Sequence, residues 1–167
     1  ERGKHAAVGL RYRLDGKFNR IICDEYARTC QTARRIAGNI PVETDNGLEP
    51  WDIGDISGTE KTPTRKREFD RRYVEYPDAV PAGGESLNVF LGRWKPVYEK
   101  YLRESRTDNI LLVIHGSNMG AVLSKFKPAP LQGSITQKPG TVLIVGNDGV
   151  PKFLPSASRI ARPSAWR

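Results

Sequence analysis

The sequence predicts an α/β fold: a mostly parallel sheet flanked by helices on both faces, with a C-terminal hairpin. Three observations carry this expectation. Short apolar runs rich in β-formers alternate with segments of helical period. The run Ile110-Leu111-Leu112-Val113-Ile114 is unbroken, the pattern of a parallel strand covered on both faces. Near the C-terminus Asn147-Asp148-Gly149 separates two short apolar runs, which is a hairpin signal.

In chain order, residues 1–14 read as the back half of a helix, with Ala6, Ala7 and Leu10 at helical spacing, ended by the turn Leu14-Asp15-Gly16. Phe18 to Cys23 reads as a strand, and Ala27 to Ile36 as a helix closed by Gly38. Pro41-Val42-Glu43 fits a brief further strand. From Asn46 to Gly84 no period persists, so a long functional loop region is expected. Glu85 to Arg103 is the clearest helix: Leu87, Phe90, Leu91, Trp94, Tyr98 and Tyr101 share a face, and Pro96 should bend it. The strand Ile110 to Ile114 ends at His115-Gly116. A helix from Ser117 to Phe126 follows, with Ser117 or Asn118 as N-cap and Met119, Val122, Leu123 and Phe126 facing inward. Thr141 to Val145 and Val150 to Leu154 form the hairpin, Pro151 marking an edge strand.

Composition narrows the function classes. A chain of 167 residues, 38% apolar and 28% charged, suits one domain with a core that needs no disulfide or metal staple. Cys23 and Cys30 lie seven positions apart, matching neither a Cys-x-x-Cys pair nor a zinc spacing, and only His5 and His115 accompany them. No metal and no cofactor are implied. The longest apolar run has five residues, against roughly 20 for a membrane-spanning helix. Two thiols without partners suit a reducing cytoplasm. The net charge of +8 allows an anionic ligand or simply a soluble surface. Its densest stretch holds Lys61, Arg65, Lys66, Arg67, Arg71 and Arg72, but only Phe69 could stack on a base, so a solvated loop is the expectation rather than a nucleic-acid site. The tail from Arg159 to Arg167, with its arginines and Trp166, is read the same way.

Ligands of open α/β sheets gather beyond the carboxyl ends of strands. His115 stands there, between a strand and a helix N-terminus that favours anions. Arg28 opens the helix after the first strand, where its fork of donors can grip phosphate oxygens. Glu85 follows Gly83-Gly84, so a flexible loop would deliver a carboxylate to a helix start, as a proton donor or a helix-start charge.

The order of these blocks is more telling than any of them alone. Ala27-Arg28-Thr29-Cys30-Gln31-Thr32-Ala33, then Leu48-Glu49-Pro50-Trp51-Asp52-Ile53-Gly54 with Gly58, then Gly84-Glu85-Ser86, then Val113-Ile114-His115-Gly116 form a succession that resembles the histidine phosphatase superfamily, the phosphoglycerate mutase-like proteins. The resemblance implies phosphomonoester hydrolysis through a phosphohistidine. Arg28 and His115 would hold the phosphate, and Glu85 would protonate the leaving oxygen. The substrate would be a phosphorylated small molecule or phosphoprotein. A mutase-type phosphotransferase would carry a larger insertion than the short stretch between Gly58 and Gly84. The family's nucleophile sits in an Arg-His-Gly block at the end of the first strand, and no such block occurs in these 167 residues. Arg2-Gly3-Lys4-His5 resembles instead the block opening the first helix, which puts His5 on a helix surface. Pro50 also replaces a Glu carried by many members. The expectation is a single histidine phosphatase-like domain over residues 1–167, incomplete at its N-terminus, with unpaired strand edges and no activity of its own. A natural non-catalytic pseudoenzyme that binds anions or proteins on this fold is the alternative.

Overall fold

The computed structural model describes residues 2–14, 16–60, 62–128, 140–146 and 150–154. Helices and strands alternate in the order α1 (Arg2–Leu14), β1 (Arg20–Cys23), α2 (Ala27–Ala37), β2 (Val42–Thr44), α3 (Pro63–Phe69), α4 (Leu87–Glu104), β3 (Ile110–Val113), α5 (Gly116–Leu123), β4 (Leu143–Val145) and β5 (Pro151–Phe153). The main sheet is parallel, with β1 between β2 and β3. Ile21 pairs with Val42 on one side and Leu111 on the other. β4 and β5 pair antiparallel as a separate hairpin. The turn signal at 147–149, the tail from Arg159, Lys61 and the side chain of His5 lie outside the described residues.

Strand alternation sorts the sheet's side chains into two cores. Ile21, Cys23, Leu111 and Val113 pack with Leu10 and Leu14 of α1 and with Cys30, Ala33, Ile36 and Ala37 of α2. Ile22 and Leu112 point the other way, to Leu87, Phe90, Leu91, Trp94 and Tyr101 of α4 and to Ala121 and Val122 of α5. Helices therefore cover both faces, as the apolar patterning predicts. α4 starts where Ser86 Oγ accepts from the Val89 N–H at 3.2 Å. Gly38, at a φ of +61°, closes α2 as the sequence suggests. Among the described residues no helix is long and apolar enough to cross a membrane.

Three expectations need correction. The region 46–84 contains a helix, α3, with Thr62 Oγ1 accepting from the Arg65 N–H and Pro63 in its first turn, followed by a π-helical turn at Asp70–Val74. From α3 and this turn, Phe69, Tyr73 and Val74 pack into the core, too few to create a period. Phe69 packs edge-on against Trp51 at 5.2 Å between ring centres, so the basic stretch is a helix face rather than a loop and its aromatic ring is occupied. The N-cap of α5 is His115, neither Ser117 nor Asn118, and the helix ends at Leu123 because Lys125 and Phe126 take positive φ angles. β3, finally, is half-buried at each of its four residues. Helices flank its faces, but its outer edge borders a cavity of about 560 Å³.

Candidate functional site

The parallel pairing of β1 with β3 brings their carboxyl ends side by side. The loop after β1 carries Asp24, the first turn of α2 carries Arg28 and Thr29, and the segment after β3 carries His115. Asp24 is fully buried, and its Oδ2 accepts a short hydrogen bond from His115 Nε2. Its other oxygen meets the Thr29 hydroxyl in a second short contact and accepts from the Tyr26 N–H at 3.1 Å. Arg28 reaches His115 Nδ1 from Nη2 at 3.0 Å and from Nε at 3.3 Å. A guanidinium can only donate, so Nδ1 is the acceptor and the ring proton sits on Nε2, facing Asp24. Tyr26 completes the cluster, its ring edge-on to His115 at 5.5 Å and beneath the Arg28 guanidinium at 4.4 Å.

The electrostatics follow from this packing. Burial pushes the His115 pKa below its ordinary 6.5; hydrogen-bonded Asp24 pulls it back up, and Arg28 adds to the lowering. A phosphate that drew the Arg28 fork off Nδ1 would supply negative charge, and the imidazolium would then stand between two anions. Arg28 is solvent-exposed and His115 keeps 9% side-chain exposure, so an arriving anion has access to both. His115 is also anchored from behind, its backbone N–H donating to Asn118 Oδ1 at 3.3 Å while Asn118 Nδ2 donates to the Glu49 carbonyl.

Glu85 lies in a different setting. Arg93 on α4 grips its carboxylate with Nη2 at 2.6 Å from Oε1 and Nε at 2.9 Å from Oε2, and the Asp52 N–H donates to Oε1 at 3.1 Å. The remaining Arg93 donors serve the carbonyls of Glu49 and Pro50. Gly83-Gly84 is a packing device more than a flexible arm. The Glu85 N–H donates to the Asp52 carbonyl, and the Asp55 N–H to that of Ala82. A side chain on Gly54 would meet the Ala82 carbonyl oxygen at 2.0 Å. Glu85 and Arg93 line a second cavity of about 290 Å³ with Asn46, Gly47, Glu49 and Asp52, whereas Arg28 and His115 border the one beside β3.

Of the three residues singled out in the sequence, then, Arg28 and His115 touch, and no described hydrogen bond joins Glu85 to either. Sequence reasoning missed Asp24 and Arg93. Asp24 had a usable signal, a carboxylate one residue beyond a strand end, the position that made His115 noticeable. Arg93 had none, being one cation among several on an amphipathic helix. Among the described residues no group of three or more His, Cys, Asp or Glu side chains is placed to hold a metal ion.

The sequence profile of the histidine phosphatase superfamily (branch 1) matches residues 1–150. The 2,3-bisphosphoglycerate-dependent phosphoglycerate mutase of Nitrobacter winogradskyi is 34% identical over 97 residues, 53% of this chain and 47% of that protein. The enzyme of the same name from Parvibaculum lavamentivorans is 27% identical over 110 residues, 63% of this chain and 48% of that protein. The chain thus spans about half the length of the curated relatives it matches. In fold it is similar to the alpha-ribazole phosphatase of Shigella flexneri, with a TM-score of 0.67 at 20% identity over 92% of this chain and 81% of that one. A mycobacterial glucosyl-3-phosphoglycerate phosphatase, solved with inorganic phosphate, gives a TM-score of 0.59 at 22% identity over 77% of this chain and 70% of that one.

Proposed function

This chain belongs to the histidine phosphatase superfamily (branch 1), and from that membership we propose that the complete protein is a phosphomonoesterase acting through a phosphohistidine. One observation carries the reading: the cavity along the outer edge of β3 ends at Arg28, Thr29 and His115. Its lining is mostly apolar: Ile110 to Ile114 from β3 and the residue after it, Val142, Leu143 and Val145 from the hairpin segment, and side chains of the flanking helices such as Ile36 and Trp94. Among the described residues β3 pairs only with β1, and the hairpin pairs only with itself. A further parallel strand in this slot would satisfy both edges, and its carboxyl end would deliver a nucleophilic histidine beside the phosphate-holding donors.

In this mechanism the nucleophile attacks phosphorus and the bond to the leaving oxygen breaks. Arg28 and His115 take the charge on the equatorial oxygens, and Asp24 stabilises His115 as an imidazolium donor. Glu85 takes up a proton from solvent once Arg93 releases one carboxylate oxygen and passes it to the leaving oxygen; water then attacks the phosphohistidine, releasing phosphate and restoring the free histidine. The phosphatases among proteins of similar fold, and the short stretch between Gly58 and Gly84, favour hydrolysis of a phosphorylated small molecule over a mutase reaction. Two free buried thiols suit a cytoplasmic setting.

The test is phosphate release from para-nitrophenyl phosphate. The 167-residue chain should release none, because loss of a covalent nucleophile costs on the order of a millionfold in turnover. A longer chain with an upstream strand ending in Arg-His-Gly should be active and lose roughly 100-fold or more on His115→Ala. Turnover by the 167 residues alone would sink the proposal. Phosphate binding without turnover by the natural full-length protein would favour the pseudoenzyme instead.

A further inference from the structure

Cys23 and Cys30 match no redox or metal spacing, yet the fold brings them together. Cys23 is the last residue of β1; the chain turns through Asp24, Glu25 and Tyr26, and the first turn of α2 returns Cys30 over the strand end. The two Sγ atoms are 3.2 Å apart, and the Cys30 thiol donates to the Asp24 carbonyl at 2.8 Å. Both cysteines are free, Cys23 fully buried and Cys30 8% exposed. A disulfide requires a sulfur separation of about 2.05 Å, so a movement of about 1 Å would join them without unfolding either element.

We propose that Cys23 and Cys30 form a reversible intramolecular disulfide that clamps the loop carrying Asp24 and the first turn carrying Arg28. The inference stands on packing alone and does not depend on the phosphatase reading. A small disulfide such as oxidised glutathione is the co-reactant. The Cys30 thiolate, the more accessible of the two, attacks it, forming a mixed disulfide and releasing one glutathione. The Cys23 thiolate then attacks the Cys30 sulfur and displaces the second glutathione. Two protein thiols lose two protons and two electrons, and the glutathione disulfide is reduced to two thiols. Cys23 is the slow partner, because burial and the adjacent Cys30 sulfur hold its pKa well above that of an ordinary thiol. Closure should therefore accelerate about tenfold per pH unit in the neutral to mildly alkaline range.

The site lends itself to a direct test. Trypsin cuts after Arg20, Arg28 and Arg34, so residues 21–28 and 29–34 separate into two peptides with one cysteine each. The folded chain, treated with oxidised glutathione and then alkylated, should yield these two peptides joined, and dithiothreitol should release them. Amide hydrogen exchange across residues 24–29 should be about tenfold slower in the oxidised form. Cys23→Ser should give only a glutathione adduct on Cys30. Two alkylated thiols, a glutathione adduct that persists on Cys30 of the natural sequence, or linkage between separate chains would overturn the proposal. So would unchanged exchange in a chain shown to carry the disulfide.

Discussion

Two carboxylates flank the strand ends, and they are held in different ways. Asp24 is fully buried one residue past β1, and its partners are Tyr26 and Thr29 close in sequence and His115 from the neighbouring strand. Glu85 belongs to a loop, and it is held by a cation eight residues along a helix and by the backbone of a second loop. The first arrangement follows from sheet register: once Cys23 pairs with Val113, the residues just beyond must meet. The second follows from loop packing, in which Gly54 and Gly84 let two backbones approach where a side chain would collide. The two halves of the site should therefore break separately.

The largest separation comes from Gly54→Ala. Gly54 has a φ of +53°, and its new methyl would stand 2.0 Å from the Ala82 carbonyl oxygen and 2.7 Å from the Gly84 nitrogen. Both obstacles are backbone, so the cost should be about 3 kcal/mol or more in a urea unfolding experiment. The His115 ring signals of the folded fraction should stay in place. Arg93→Met should follow at about 2 kcal/mol, since it strands a partly buried carboxylate and leaves the Glu49 and Pro50 carbonyls short of donors. Adding Glu85→Gln to that variant should recover part of the loss. A double-mutant coupling near zero would show that the pair is not a unit.

The contrast also explains what could be read in the sequence. Register and helical period are written into apolar spacing, so the alternation of strands and helices outside the 46–84 region and the helices on both faces of the sheet were legible, and Arg28 and His115 stood out by their places beyond strand ends. Resemblance, carried by the order of the motif blocks, contributed the shared phosphate-holding role of Arg28 and His115 and the acid role of Glu85. Loop packing leaves no period. The partner of Glu85 is one of several cations on α4, and α3 hides because Phe69 is the side chain it packs into the core, joined by Tyr73 and Val74 only from the π-helical turn that follows. The Cys23 and Cys30 contact was invisible for a related reason: their spacing matches no motif, and only a strand followed by a tight turn and a helix makes seven positions a contact.

Asp24→Asn probes the other half at a smaller scale. It replaces a charge-assisted hydrogen bond with a neutral one, a difference of about 1 kcal/mol in stability. Because Asp24 is what pulls the His115 pKa upward against burial, the variant should titrate lower still. The chain has two histidines, so ring-proton NMR reads this directly, with His5 as the internal comparison. An unchanged His115 titration would mean that Asp24 only packs the loop and does not position the ring.

The smallest effect is in the pH dependence of stability, and its sign is fixed by the same packing. His115 titrates below 6.5 when folded, so in the window just beneath that value the unfolded chain binds more protons than the folded one. Stability should therefore fall as the pH drops through about 6.5, with a slope of at most about 1.4 kcal/mol per pH unit for one proton. The loss should level off below the folded pKa, where both states are protonated. Glu43, held below its ordinary 4.5 by the hydrogen bond from Arg20, destabilises on acidification only in a lower window. His115→Asn should remove the upper phase and leave the lower one. An upper phase that survives in this variant would assign it to another group and leave the His115 ring without the burial-dominated environment that distinguishes its cluster from that of Glu85.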